Sequence, residues 1–300
     1  MKYIGYILLS VVLFTSCVRD EIPPCPPLKV MIGIKDKNYS NVDEVQRMTG
    51  LEYRVDENLP FRDYIQKLFY VMYNAETGEE VLVHHLHDVQ GNAPLATGYD
   101  IPGNLPFGKY VILVWGNILD EEPILRDKNY KTYDLHMDGS EGYDTYMTCD
   151  TLLYDATHHD YTVWLERVKG KLIIHVENLP VSASHSHKNI DGLYDMVDYQ
   201  FRYSDQNGME KQTDWNEKPE IVSKTVLAPS VREKGSTVRL EFFEGPDNVT
   251  PVLKPEAVNV TMRRNELTVQ KYVYNPSNDS FSIYLLVDGA WSDYHDMEID

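Results

Sequence analysis

Leu105-Pro106-Phe107-Gly108-Lys109-Tyr110-Val111-Ile112-Leu113-Val114-Trp115-Gly116 decides how the rest of the chain is read. A turn bearing Pro and Gly feeds an unbroken run of Val, Ile, Leu and Trp, and Gly116-Asn117 ends it. A run of this length is strand-sized, and its β-branched and aromatic residues pack well on a pleated surface. The stretch predicts a central sandwich strand over 109–115.

Outward from it, the same signals repeat. Residues 28–34 alternate with period two, as a half-buried strand does. Residues 64–73 form another strand, closed by Asn74-Ala75-Glu76-Thr77-Gly78, a hairpin turn with Gly for positive φ. Residues 80–86 return. The polar segment 36–58 reads as a long loop with a short helix over 42–48, and 120–146 as acidic, Tyr-rich and loop-like, with short strand candidates only. Beyond it, strands are predicted at 160–168, 171–177, 196–203, 223–228, 237–243, 257–262, 267–274 and 281–287. Residues 182–192 read as a polar, His-bearing loop, and 205–208 and 264–266 as hairpin turns. No amphipathic helix of ordinary length is present. Short strands at roughly ten-residue spacing mean sandwiches. The chain is expected to be all-β, with two consecutive β-sandwiches at 28–167 and 168–300.

The front of the chain is different. Lys2 precedes an apolar run over 4–14, too short for a spanning helix of ~20 residues, which reads as a secretory leader. Phe14-Thr15-Ser16-Cys17 resembles the lipobox of bacterial lipoproteins, with Phe14 where Leu is usual. The resemblance implies a leader at 1–16 and acylation of Cys17. Val18-Arg19-Asp20-Glu21 is similar to the surface-export tag of lipoproteins in some Gram-negative anaerobes. Ile22-Pro23-Pro24-Cys25-Pro26-Pro27 adds a stiff, extended strut, so 17–27 is a lipidated Pro-rich arm. With Cys17 acylated, Cys25 and Cys149 remain, either bridged in an oxidising compartment or as two separate thiols. A bridge would tie the arm to the first sandwich.

The 300 residues carry a formal charge of −19, which repels nucleic acid and anionic lipid. Histidines cluster at His84-His85-x-His87, His158-His159 and His185-x-His187. On a strand His85 and His87 share a face, yet no Asp, Glu or Cys spacing completes a metal site. Ser182, Ser184 and Ser186 flank two of these histidines without a Gly-x-Ser-x-Gly elbow. No catalytic residue, metal or cofactor is therefore expected, and the reading is not an enzyme. The 22 Tyr and 4 Trp leave a glycan platform open beside the plainer role of sandwich core.

Taken together, the lipobox, the Cys25-Pro26 arm, the Leu105-Pro106-x-Gly108-Lys109-Tyr110 turn with its aromatic strand, and the crossing from 163–168 into 172–176 resemble the FimB-type anchor subunits of type V fimbriae. The resemblance implies two tandem transthyretin-like sandwiches, lipid-anchored in the outer membrane at the cell surface and holding the first shaft subunit. Shaft subunits of that system join by strand donation, a form of β-augmentation. The segment 290–300 is the expected contact, with Trp291, Met297 and Ile299 on one face and Tyr294 on the other. The alternative is a surface glycan-binding lipoprotein.

Overall fold

The computed structural model describes residues 26–98, 101–126, 129–214 and 220–295. The fold is all-β. Its strands are β1 (Lys29–Ile34), β2 (Lys67–Asn74), β3 (Glu80–Asp88), β4 (Ala96–Thr97), β5 (Gly108–Gly116), β6 (Thr132–Asp134), β7 (Tyr146–Tyr154) and β8 (Asp160–Arg167). There follow β9 (Gly170–Glu177), β10 (His185–Asp198), β11 (Tyr203–Asp214), β12 (Ile221–Leu227) and β13 (Ser236–Phe243). The last are β14 (Val258–Val260), β15 (Leu267–Asn275), β16 (Ser280–Val287) and β17 (Ala290–Asp293). Helices are short, α1 (Val42–Thr49) and α2 (Phe61–Tyr64).

Seven strands of the first half run in the order β3-β2-β5-β7-β8-β1-β4. β7 meets β8 only at Tyr146–Arg167 and Met147–Glu166, so the sheet folds over there into two leaves. Val30, Ile32, Val163 and Leu165 on one leaf pack against Tyr70, Ile112, Val114 and Leu152 on the other. β5 lies between β2 and β7, as its apolar run requires.

The second half makes two sheets, β11-β10-β13-β14 and β12-β9-β15-β16-β17. Leu172, Ile174, Ile190, Val238, Leu240, Tyr272 and Ile283 fill the space between them. One strand from the first half joins this part, because β6 pairs with β10 at Met196, Val197 and Asp198.

Besides β7, a strand the sequence reading does not anticipate, three segments depart from the sequence expectation. Residues 185–192, expected as loop, open β10, and the hairpin turn falls at 199–202, with 205–208 inside β11. The turn is shaped by Asp198, whose carboxylate accepts from the backbone N–H of Gln200 and Arg202, both at 2.9 Å, with Phe201 at φ 58°. Lys188 does not betray the strand because its amine is satisfied inside the sandwich, donating to Ser223 Oγ at 3.1 Å and Thr225 Oγ1 at 2.8 Å. The segment 120–146, loop-like with the short strand β6, lies partly buried rather than open. Ile124, Tyr133 and Leu135 are fully buried over the outer face of β2, β5 and β7, where Phe69, Leu113, Trp115 and Met147 point.

Candidate functional site

Among the described residues no group of three or more His, Cys, Asp or Glu side chains is arranged to hold a metal ion. His85 and His87 are split by a bulge in β3 opposite Phe69, since an extra residue breaks the two-residue period. The bulge brings His84 and His87 together instead, ring centroids 4.1 Å apart. His85 turns to Glu121, with Nδ1 3.0 Å from Oε2. His158 lies 2.9 Å from Asp155, and His185 contacts Asp214 across the β10–β11 pair.

What the fold does build is a joint between its two halves. β8 passes through Val168 and Lys169 directly into β9. Arg167, 4% exposed, is the hub. Its backbone N–H donates to Asp36 Oδ2 at 2.8 Å, Nε to Asp144 Oδ1 at 3.1 Å and Nη1 to Asn265 Oδ1 at 2.7 Å, while Nη2 donates to the Tyr146 hydroxyl. Its guanidinium lies 4.0 Å over the Tyr39 ring. A buried guanidinium is tolerated where every donor has a partner.

Next to it, Lys169 is wholly buried and donates to the Leu135 and Glu141 carbonyls. Burial pushes its amine down to about 7, against the opposing pull of Asp144, Glu141 and Asp134. Gly170 is required, since a Cβ there would run into the Arg263 carbonyl. His136 donates from Nδ1 to Ser140 O at 2.8 Å and accepts at Nε2 from the Ala228 N–H at 2.9 Å. It is held neutral, because burial and the nearby Lys169 lower it to about 3.

The segment carrying α1 completes the joint. Asn41 copies a strand residue with its amide, donating to Leu267 O and accepting from Leu267 N, both at 2.8 Å. Tyr39, Val42 and Val45 pack on Ile173, Leu267 and Val269 of the second sandwich.

The sheet edges are the second feature. An open edge offers unpaired N–H and C=O groups to another strand. On β3 the Glu121 carboxylate takes the Leu86 N–H at 2.7 Å. On β12 Glu141 takes the Val226 N–H at 2.6 Å, and Lys211 donates to Lys224 O at 3.2 Å. On β14 the Asn259 N–H donates to the Tyr294 hydroxyl at 3.3 Å.

The residues singled out in the sequence fall as follows. Cys17, Cys25, Met297 and Ile299 lie outside the described residues. Cys149 is a free thiol, half-buried on the outer face of β7. The arm docks elsewhere, with the Tyr154 hydroxyl donating to Pro26 O at 2.7 Å from the opposite face of β7. The expected bridge to Cys25 is thus not part of the described structure, and the arm's anchor point lies five residues and one sheet face away from Cys149. Trp291 and Tyr294 are engaged within the chain, Trp291 on the joint and Tyr294 in its own domain. Asp288 and Gly289, at φ 47° and 72°, make a two-residue hairpin that returns β17 onto β16. Trp291 Nε1 donates to Met48 O at 3.2 Å, and Tyr294 is buried. Sequence reasoning missed Arg167, Lys169 and Glu141 as joint residues. A basic residue on either side of Val168 was the available signal.

No model of a known protein family matches the chain, and no curated protein matches it. Solved structures do. A crystal structure from Bacteroides thetaiotaomicron, provisionally called an adhesin, is 12% identical with a TM-score of 0.57, covering 91% of this chain and 100% of its own. A second from that organism, provisionally named a polysaccharide-binding protein, is 11% identical with a TM-score of 0.54, covering 89% and 98%. The fimbrial anchor protein Mfa2 from Porphyromonas gingivalis is 12% identical with a TM-score of 0.47, covering 90% and 100%. At such identities the likeness to the first two is one of fold, spanning nearly the whole chain.

Proposed function

We propose that this chain is a structural anchor subunit, tethered to the outer membrane through an acylated Cys17 and exposed at the cell surface, that holds a fimbrium. The observation that carries the reading is the direction of the chain. β1 starts beside the β7–β8 turn, where Lys29 N–H donates to His159 O at 2.7 Å, and runs parallel to β8 toward the joint. β9 leaves the joint, and β17 runs in that same outward sense, since β15 is parallel to β9 and β16 and β17 each reverse in turn. A lipidated arm thus enters at one pole and the C-terminal strand heads for the other. The provisional name adhesin on a protein of the same fold is consistent with a surface role.

The contact to the first shaft subunit is assigned to the segment 290–300. β17 is the last strand of its sheet, and strand addition there would place Met297 and Ile299 against the partner. The experiment is Cys17→Ala. A lone acyl chain holds a protein only marginally, whereas several hold it at ~0.8 kcal/mol per buried CH₂. The variant is expected in the soluble fraction, with fimbriae released to the medium. A variant that still pellets with outer membranes after a carbonate wash overturns the reading.

One observation favours a glycan-binding role as the second reading. Trp164 is 49% exposed on β8, and its ring lies against Gly33, the residue opposite it on β1. Saturable binding to a glycan array that is lost in Trp164→Ala would favour it.

A further inference from the structure

Two of the strand pairs among the described residues are parallel, and both lie on the path from the arm to the far pole. β1 pairs with β8 from Lys29–Asp160 to Ile34–Leu165, and β9 with β15 from Lys171–Leu267 to Glu177–Val273. Every other pair is antiparallel.

Consider a pull on the arm against a pull on the far pole. β1 is drawn by its N-terminal end, and β8 by its C-terminal end through the joint. In a parallel pair those two forces slide the strands lengthwise past each other, so the evenly spaced ladder bonds are loaded together rather than one after another. β9 is likewise drawn by its N-terminal end at Gly170, and β15 by its C-terminal end at the β15–β16 turn. A peeling pull would break one bond at a time and meet far less resistance.

The local chemistry suits a ladder that must not slip. Lys29 N–H to His159 O at 2.7 Å and Lys35 N–H to Leu165 O at 2.9 Å extend the first ladder at both ends. Val30, Ile32, Val163 and Leu165 seal its inner face, and Ile173, Ile174, Val269 and Tyr272 flank the second. Water is kept from competing for the bonds on that side. Between the ladders, Arg167 grips both halves.

We infer that the chain is a tension-bearing element whose two parallel ladders, β1–β8 and β9–β15, act as mechanical clamps in series through the Arg167 joint. The inference rests on the anchor reading, which supplies the tension. It takes the fibre to bear on the far pole at the β15–β16 turn, since a load entering through β17 would meet the antiparallel β16–β17 pair first. Acylation plays no part in its test, so failure of the tether and failure of the clamps are separate results.

The test is single-molecule pulling of the full mature chain in two geometries. Axial handles sit ahead of Pro26 and in the β15–β16 turn at Asn278. Lateral handles sit on the edge strands β3 and β4, at His85 and Thr97. Rupture force reports the unfolding barrier along the pulled direction, and the axial force is expected to be at least about twofold the lateral one. Met31→Pro then removes one ladder N–H, since the odd residues of β1 face β8, and Met31 points its side chain away from the core. It should lower the axial force and spare the lateral one. An axial force no higher than the lateral force in the unaltered chain overturns the inference, as does a Met31→Pro loss equal in both directions.

Discussion

Lys169 is a buried amine held far from its ordinary state. Its amine sits at about 7 in the folded chain, against 10.5 in the open. Between those values the unfolded chain holds a proton that the folded chain does not, so stability rises with pH across that window, by up to about 1.4 kcal/mol per unit. Below pH 7 the full cost of burying the charged amine is present. The variant Lys169→Met has no such proton, so its denaturant midpoint is expected to change less than the parent's between pH 7 and pH 10. Parallel pH dependences in the two chains would show that the amine is not the group responsible. Arg167, by contrast, keeps its charge, with Asp144, Asn265, Tyr146 and Tyr39 all meeting its guanidinium.

At the scale of the element, β17 is a short strand with a large consequence. It adds four register pairs to the edge of β16, yet it positions Trp291 against α1 and Tyr294 against β14. Tyr294 therefore closes the seam between the last strands of the two sheets. Truncation after Gly289 removes two large part-buried or buried aromatics, a loss of about 3–5 kcal/mol by analogy with aromatic-to-Ala changes in cores. The shortened chain is expected to unfold at lower denaturant and to exchange the Asn259 amide faster. Unchanged stability and exchange would mean that the strand is ornamental to its own domain and free to serve a partner. The carboxylates on β3 and β12 act in the same sense, turning edges that invite pairing into edges that refuse it.

For the whole molecule, the consequence of the joint is cooperativity. One continuous apolar cluster runs from Phe69 and Trp115 in the first half to Leu172, Tyr272 and Leu285 in the second. Parts that share a core melt together. A single calorimetric transition is expected for the parent chain. Arg167→Met strips one partner from a buried charged network, a change that costs about 3–5 kcal/mol in comparable settings. Among the described residues Asp144 keeps only the Tyr39 hydroxyl, at 3.3 Å, and, since the shared core is untouched, the single transition is expected to move to lower temperature. Two transitions in the unaltered protein would show that the halves were independent from the start.

Much of the fold follows from local sequence alone. The Val111–Trp115 run could only be a covered strand, Asn74-Ala75-Glu76-Thr77-Gly78 turns where expected, and period-two alternation makes 28–34 a half-buried strand. These features depend on neighbours a few residues away, whose spacing the chain itself displays. Tertiary structure decided the rest. The strand at 185–192 exists because Ser223 and Thr225, more than thirty residues downstream, satisfy Lys188. The bulge at His85 undoes the shared face that simple alternation predicts. Asp288-Gly289 marks a turn in the sequence, but only the register of β17 on β16 shows that residues 290–293 return to their own sheet. Arg167 and Lys169 look like surface charges until Asp144, Asn265 and the Leu135 and Glu141 carbonyls gather around them. A polar residue's place depends on which partners arrive to satisfy it, and those partners are distant in sequence.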